Sequence, residues 1–180
     1  ALDPLSLGPT YIFRNIINRC YIPHDDNGKE YPQEGAPFVK MGIKNVHGHG
    51  KIYIFHNTIL QPFDQEIKME IGLLKGFSNA RRNLVSNIIC KNNILHCPEP
   101  IIVGQNIGNF KNEINFNLTS TRLPVEKQYT GIQSNGIVGI PAYHTQNNNL
   151  EFFLSEGSPG HDNGLVILGV SDNYKGNAPD

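Results

Sequence analysis

One pattern of apolar and polar positions recurs at four places along the chain. Residues 11–17 read Tyr-Ile-Phe-Arg-Asn-Ile-Ile and residues 53–59 read Tyr-Ile-Phe-His-Asn-Thr-Ile. Residues 89–95 share the same core of an apolar residue, two residues, an Asn, one residue and a second apolar position, and residues 111–119 follow it with Thr119 in the last place. The common Asn residues are Asn15, Asn57, Asn93 and Asn117, separated by 42, 36 and 24 residues. Periods of roughly 20–50 residues mark solenoids, in which each repeat buries its apolar face only against its neighbours. Unequal spacing implies loops of different length between successive copies.

Period-two alternation predicts a short strand in each copy, with Ile52 and Ile54 on one face and Tyr53 and Phe55 on the other. The Asn is predicted to adopt the left-handed conformation and turn the chain, so that Ile59 rejoins the side of Ile54. Copies stacked about 4.8 Å apart place Ile12, Ile54, Cys90 and Ile114 in one interior stack. Ile17, Ile59 and Leu95 form another, and the four Asn side chains form a hydrogen-bonded ladder. The competing interpretation is a β-sandwich in which these strand-and-turn patterns coincide by chance. Between the copies lie polar, turn-rich insertions at 24–37, 61–79 and 123–143. The best helical candidate runs from Asp64 to Lys75 and is interrupted by Gly72.

Composition sharpens this picture. The chain holds 22 Asn and 21 Ile, which suits many short strands joined by tight Asn turns. With 17% charged and 38% hydrophobic residues, it is neither disordered by composition nor a membrane protein. Lys plus Arg is 15 against 16 for Asp plus Glu, so no basic excess points to nucleic acid. No apolar run approaches the roughly 18 residues of a membrane span. Cys20, Cys90 and Cys97 are odd in number and lack zinc-site spacing, and read as small buried hydrophobes.

The runs 53–59 and 85–95 resemble coils of bacterial secreted right-handed parallel β-helix proteins, a superfamily related in fold to the pectate lyases. The segment from Leu150 to Gly164, with Ser158-Pro159, Asp162 and Gly164, is similar to the Leu-x-x-x-Ser-Pro-x-x-Asp-x-Gly pattern that closes many of them. Asp172 and residues 176–180 fit its continuation, and His161 stands where the pattern has an apolar residue. The resemblance implies an all-β chain, a right-handed parallel β-helix with coils over 1–123 and an irregular closing segment over 124–180. It implies a secreted or cell-surface protein acting on polysaccharide, most simply a lyase or hydrolase for an acidic polymer. The alternative is a non-catalytic glycan-binding or structural module.

Candidate chemistry follows the register. Arg14 and His56 precede the ladder Asn in adjacent copies, and Lys91 lies two before Asn93. A basic column suits an anionic polymer. In lyases of this fold, the resemblance implies, such a group removes the proton α to a uronate carboxyl while a second cation stabilises the developing charge. Alternatively all three are solvated turn residues. Arg81 and Arg82 are placed to clamp a carboxylate, or form a charged loop edge. Tyr53, with Tyr11 and Phe55, offers a sugar-stacking surface, or packs under the loops. Asp25 and Asp26 supply oxygen ligands suited to Ca²⁺, without a full EF-hand pattern. His47 and His49 form a two-imidazole turn, and Asp162 reads as a turn cap. Solenoid ends need covering, and residues 1–10 contain two prolines and no amphipathic helix. N-terminal coils of a longer parent chain are therefore expected to precede Ala1, and the isolated chain to self-associate.

Overall fold

A computed structural model describes residues 9–18, 37–40, 51–60, 70–73, 88–96, 102–103, 113–120, 134–146 and 149–179. In chain order the strands are β1 (Thr10–Phe13), β2 (Ile16–Asn18), β3 (Pro37–Lys40), β4 (Ile52–Phe55), β5 (Thr58–Leu60), β6 (Glu70–Leu73) and β7 (Ile88–Lys91). They continue with β8 (Ile94–His96), β9 (Ile102–Val103), β10 (Glu113–Asn115), β11 (Leu118–Thr119), β12 (Ile137–Val138), β13 (Tyr143–Gln146) and β14 (Asn149–Leu154). No helix occurs among the described residues. The helical candidate at 64–75 instead contains β6, which pairs in parallel with β3 and β9. Gly72 carries the helix cost of a residue without a side chain, and the sheet satisfies the backbone there.

The chain visits three parallel sheets in rotation. One has the order β1-β4-β7-β10, a second β12-β11-β8-β5-β2 and a third β3-β6-β9. Strands three apart in sequence therefore become neighbours, an arrangement compatible with a β-helix-like fold. The second sheet gains β12 beyond Leu123, where Leu118 pairs with Ile137.

Each repeat breaks into two strands at a two-residue corner, and the corner differs from the sequence expectation. The left-handed residue is not the Asn but the one before it: φ is 55° at Arg14, 50° at His56, 55° at Asn92 and 55° at Phe116. Left-handed backbone costs a non-glycine residue about 1–2 kcal/mol, and the buried Asn offsets it. With the preceding residue turned, each Asn side chain lies along the stack, buried at Asn57, Asn93 and Asn117 and exposed at Asn15. Its amide donates to the carbonyl two residues back, from Asn57 to Phe55 O at 3.1 Å and from Asn93 to Lys91 O at 2.9 Å. The same amide donates to the next ladder Oδ1, at 2.8 Å for each of Asn15 to Asn57, Asn57 to Asn93 and Asn93 to Asn117. It also reaches the neighbouring repeat's backbone, from Asn57 to Ile12 O at 3.0 Å and from Asn93 to Ile54 O at 2.9 Å.

The expected stacks are present. Ile12, Ile54, Cys90 and Ile114 are in register and all buried. Ile17, Ile59 and Leu95 are likewise in register, with Ile59 and Leu95 buried, Ile17 half-buried and Thr119 continuing the column. Burial pushes the Cys90 thiol up to about 12, so it stays protonated and packs as a small hydrophobe.

The other side of the second sheet is covered by the antiparallel pair β13–β14, whose Leu154 and Tyr143 pack on Ile94 and Leu118. His96 lies beneath this cover, its Nδ1 3.3 Å from Tyr143 Oη and the rings 5.7 Å apart. Burial lowers the His96 pKa from 6.5. The folded state thus holds the neutral ring, while the unfolded chain takes up a proton once pH falls below that value. Stability should therefore decline as pH falls through 6.5 toward the lowered folded-state pKa. Thermal melts across this range should show the loss, and His96→Phe should flatten it.

Candidate functional site

Residues 155–179 contain no strand, yet they are held by the corners of the repeats. Gly160 lies against Leu118 of the fourth repeat, where an added Cβ would stand 2.9 Å from Leu118 Cδ2. At the third repeat Asn92 forms a clasp: its Nδ2 donates to Leu165 O at 2.6 Å and its Oδ1 accepts from Leu165 N at 2.9 Å. At the second, His56 Nε2 lies 2.8 Å from Ser171 Oγ. At the first, Arg14 Nη2 donates to Val170 O at 2.6 Å. The tail thus runs back along the left-handed corners, opposite to the order in which the repeats were laid down. It closes on itself where Gly164 N donates to Pro179 O at 2.7 Å. Only glycine fits at 164, because a Cβ would meet Pro179 O at 2.3 Å. Asp162 caps the last turn, accepting from Asn177 Nδ2 at 3.4 Å and Ala178 N at 3.5 Å, as its motif implied.

This strap changes what the basic column can do. Arg14 and His56 are brought together and line a cleft of ≈ 250 Å³ with Val170, Ser171, Asn173, Tyr174 and Pro179. Both already bond the tail. An amide NH2 can only donate, so the His56 Nε2 that lies 3.2 Å from Asn92 Nδ2 faces it as an acceptor. Lys91 is placed elsewhere. It pairs in register with Phe55 and forms an ion pair with Glu113 at 2.5 Å.

On the outward side of the first sheet, Tyr11 stacks on Tyr53 with ring centroids 4.9 Å apart and planes 8° from parallel. Tyr53 in turn meets Phe55 at 5.7 Å. Tyr11 and Phe13 are exposed at 58% and 47%, while Phe55 is buried at 6%. The exposed aromatic surface is therefore made by Tyr11, Phe13 and part of Tyr53, with Phe55 as its support. Arg81, Arg82, Asp25, Asp26, His47 and His49 lie outside the described residues. Among the described residues, no three His, Cys, Asp or Glu side chains are grouped to hold a metal ion.

A second cleft escaped the sequence reading. It measures ≈ 470 Å³ and is lined by Phe153, Leu154, His161, Tyr174 and Lys175, with Tyr174 shared with the Arg14–His56 cleft. Beside it, His144 stacks on Phe153 at 4.9 Å and its Nδ1 lies 2.7 Å from Glu151 Oε2. The one sequence signal was His161, the polar departure from the closing pattern. Compared with known proteins, the chain matches no family model, no curated protein and no solved structure.

Proposed function

We propose that this protein is a right-handed parallel β-helix that binds acidic polysaccharide, outside the cell or at its surface, without cleaving it. Right-handedness follows the general preference of parallel crossovers. The observation that carries the binding reading is the exposed Tyr11, stacked on the half-buried Tyr53 and flanked by the exposed Phe13. Aromatic rings offer apolar faces to the axial C–H groups of a pyranose, and tyrosine hydroxyls bond its substituents. Two rings in register on adjacent strands, with Phe13 beside them, fit neighbouring sugar units of a polymer better than a compact ligand.

A binder is favoured over a lyase because each member of the basic column is already engaged. Proton abstraction needs a base with its lone pair free to meet the substrate. The His56 Nε2 lone pair faces Asn92 and Ser171, Arg14 holds the tail and Lys91 holds Glu113.

The test is binding to immobilised pectate, alginate and hyaluronan, with ultraviolet absorbance followed in parallel. Retention on at least one polymer without unsaturated ends is expected. The Tyr11→Ala, Tyr53→Ala double variant should weaken it about tenfold or more. Undiminished binding by that variant sinks the aromatic reading, and rising absorbance replaces it with the lyase.

A further inference from the structure

The cleft of Phe153, His161, Tyr174 and Lys175 has features of a small-molecule site that the aromatic face of the first sheet lacks. Its volume of ≈ 470 Å³ falls within the roughly 300–1,000 Å³ of small-ligand pockets. Phe153 and Tyr174 are exposed at 52% and 41%, and both border this cleft. Phe153 is also held in place from behind, by the stacked His144 ring that Glu151 fixes in turn. An aromatic ring so buttressed presents a face without having to be ordered on binding.

The charges at this cleft are sorted. The carboxylate of Glu151 is taken by His144 at 2.7 Å. Asp162 is turned toward Asn177 and Ala178, with His161 Nδ1 3.8 Å from its Oδ2. Lys175 is exposed and makes no ion pair among the described residues. The cleft therefore offers aromatic surface, an imidazole and a cation that makes no ion pair among the described residues, while the carboxylates of Glu151 and Asp162 are occupied.

We infer that this cleft binds a single acidic sugar residue, its apolar ring face against Phe153 and Tyr174 and its carboxylate on Lys175. The inference rests on the reading of the protein as a binder of acidic polysaccharide and adds a second, charge-selective subsite on the tail. Tyr174 also borders the cleft of Arg14, so a polymer chain extending from the bound residue passes beside another cation.

The probe is the free monosaccharide, too small to span both surfaces. D-Galacturonate, D-glucuronate and D-mannuronate would be titrated against the full chain by NMR, with the aromatic signals of Phe153 and Tyr174 as readout. The neutral parent sugars serve as comparison. At least one uronate should shift these signals, and its neutral counterpart should bind about tenfold more weakly. Lys175→Gln should lower uronate affinity by the same factor, and Phe153→Ala should abolish the Tyr174 shift. Both residues are exposed, and an unchanged melting temperature would show that the variants fold. Equal affinity for charged and neutral sugars, or no shift with any uronate, overturns the inference. Either failure, with polymer binding still sensitive to Tyr11 and Tyr53, leaves the binding reading standing. Loss of polymer binding altogether, with the monosaccharide shifts intact, does the reverse.

Discussion

Replacing Asn93 by alanine should lower the unfolding free energy by about 3 kcal/mol or more, because several buried groups lose their partner at once and each costs about 1–3 kcal/mol. Asn93 Oδ1 accepts from both the backbone and side-chain nitrogens of Asn57 at 3.0 and 2.8 Å. Its Nδ2 serves Asn117 Oδ1, Ile54 O and Lys91 O. Alanine supplies none of these bonds, and the site is sealed from water. Asn15→Ala makes the contrast. Asn15 stands exposed at one end of the ladder, and Asn57 Oδ1 would still accept from the backbone N–H of residue 15. Its cost should stay under about 1 kcal/mol. Urea unfolding of the two variants compares them directly, and equal losses would show that the ladder bonds are not what holds the repeats in register.

Asn92→Gly should release the tail while leaving the stack folded. The clasp on Leu165 uses both atoms of the Asn92 amide. Glycine adopts the local φ of 55° without steric cost, so removing the clasp is separated from backbone strain. The Leu165 amide should then exchange with solvent at least about tenfold faster, since the two lost bonds are each worth about 0.5–1.5 kcal/mol. Limited proteolysis should cut within 160–179 before it cuts the repeats. Asn92→Ala should add about 1–2 kcal/mol of left-handed strain, and its global destabilisation should exceed that of the glycine variant. Unaltered Leu165 exchange in Asn92→Gly would mean that the tail is held by something other than the corners.

The ladder was legible because one residue type does several jobs there. Asn57 and Asn93 each bond to their own strand, to the Asn before and to the Asn after, and an amide carries the donor and the acceptor that this takes. Which corner residue turns left-handed was not legible. Arg14, His56, Asn92 and Phe116 have no chemistry in common, so the strained position leaves no signature of its own; the pattern showed only its fixed neighbour. The strand at 70–73 was hidden for another reason: its partners lie 33 and 32 residues away, at Pro37 and Ile102, and local propensity is blind to them. The Phe153–Lys175 cleft comes from segments with no periodicity, so only coordinates bring its residues together. The basic column illustrates the limit from the other side. Register placed Arg14 beside His56, but pattern alone gave no hint that the tail would return to occupy them.

That return has a consequence for how the molecule comes apart. Repeat arrays behave as linear chains of coupled units, and their end units open first because each has one neighbour. Here the bonds from Arg14 to Val170 and from His56 to Ser171 span 156 and 115 positions of sequence, against 24 to 42 for the ladder. The Arg14 repeat cannot open without also breaking its bond to the tail, which the His56 and Asn92 repeats hold as well. Opening at the Arg14 repeat is therefore coupled to loosening of the tail along the other repeats, which makes a nominally one-dimensional stack unfold more nearly as a single unit. In synthesis the order is inverted: the short-range ladder can assemble as each repeat emerges, but the Arg14 corner is fastened only after Val170, 156 positions further on, has emerged.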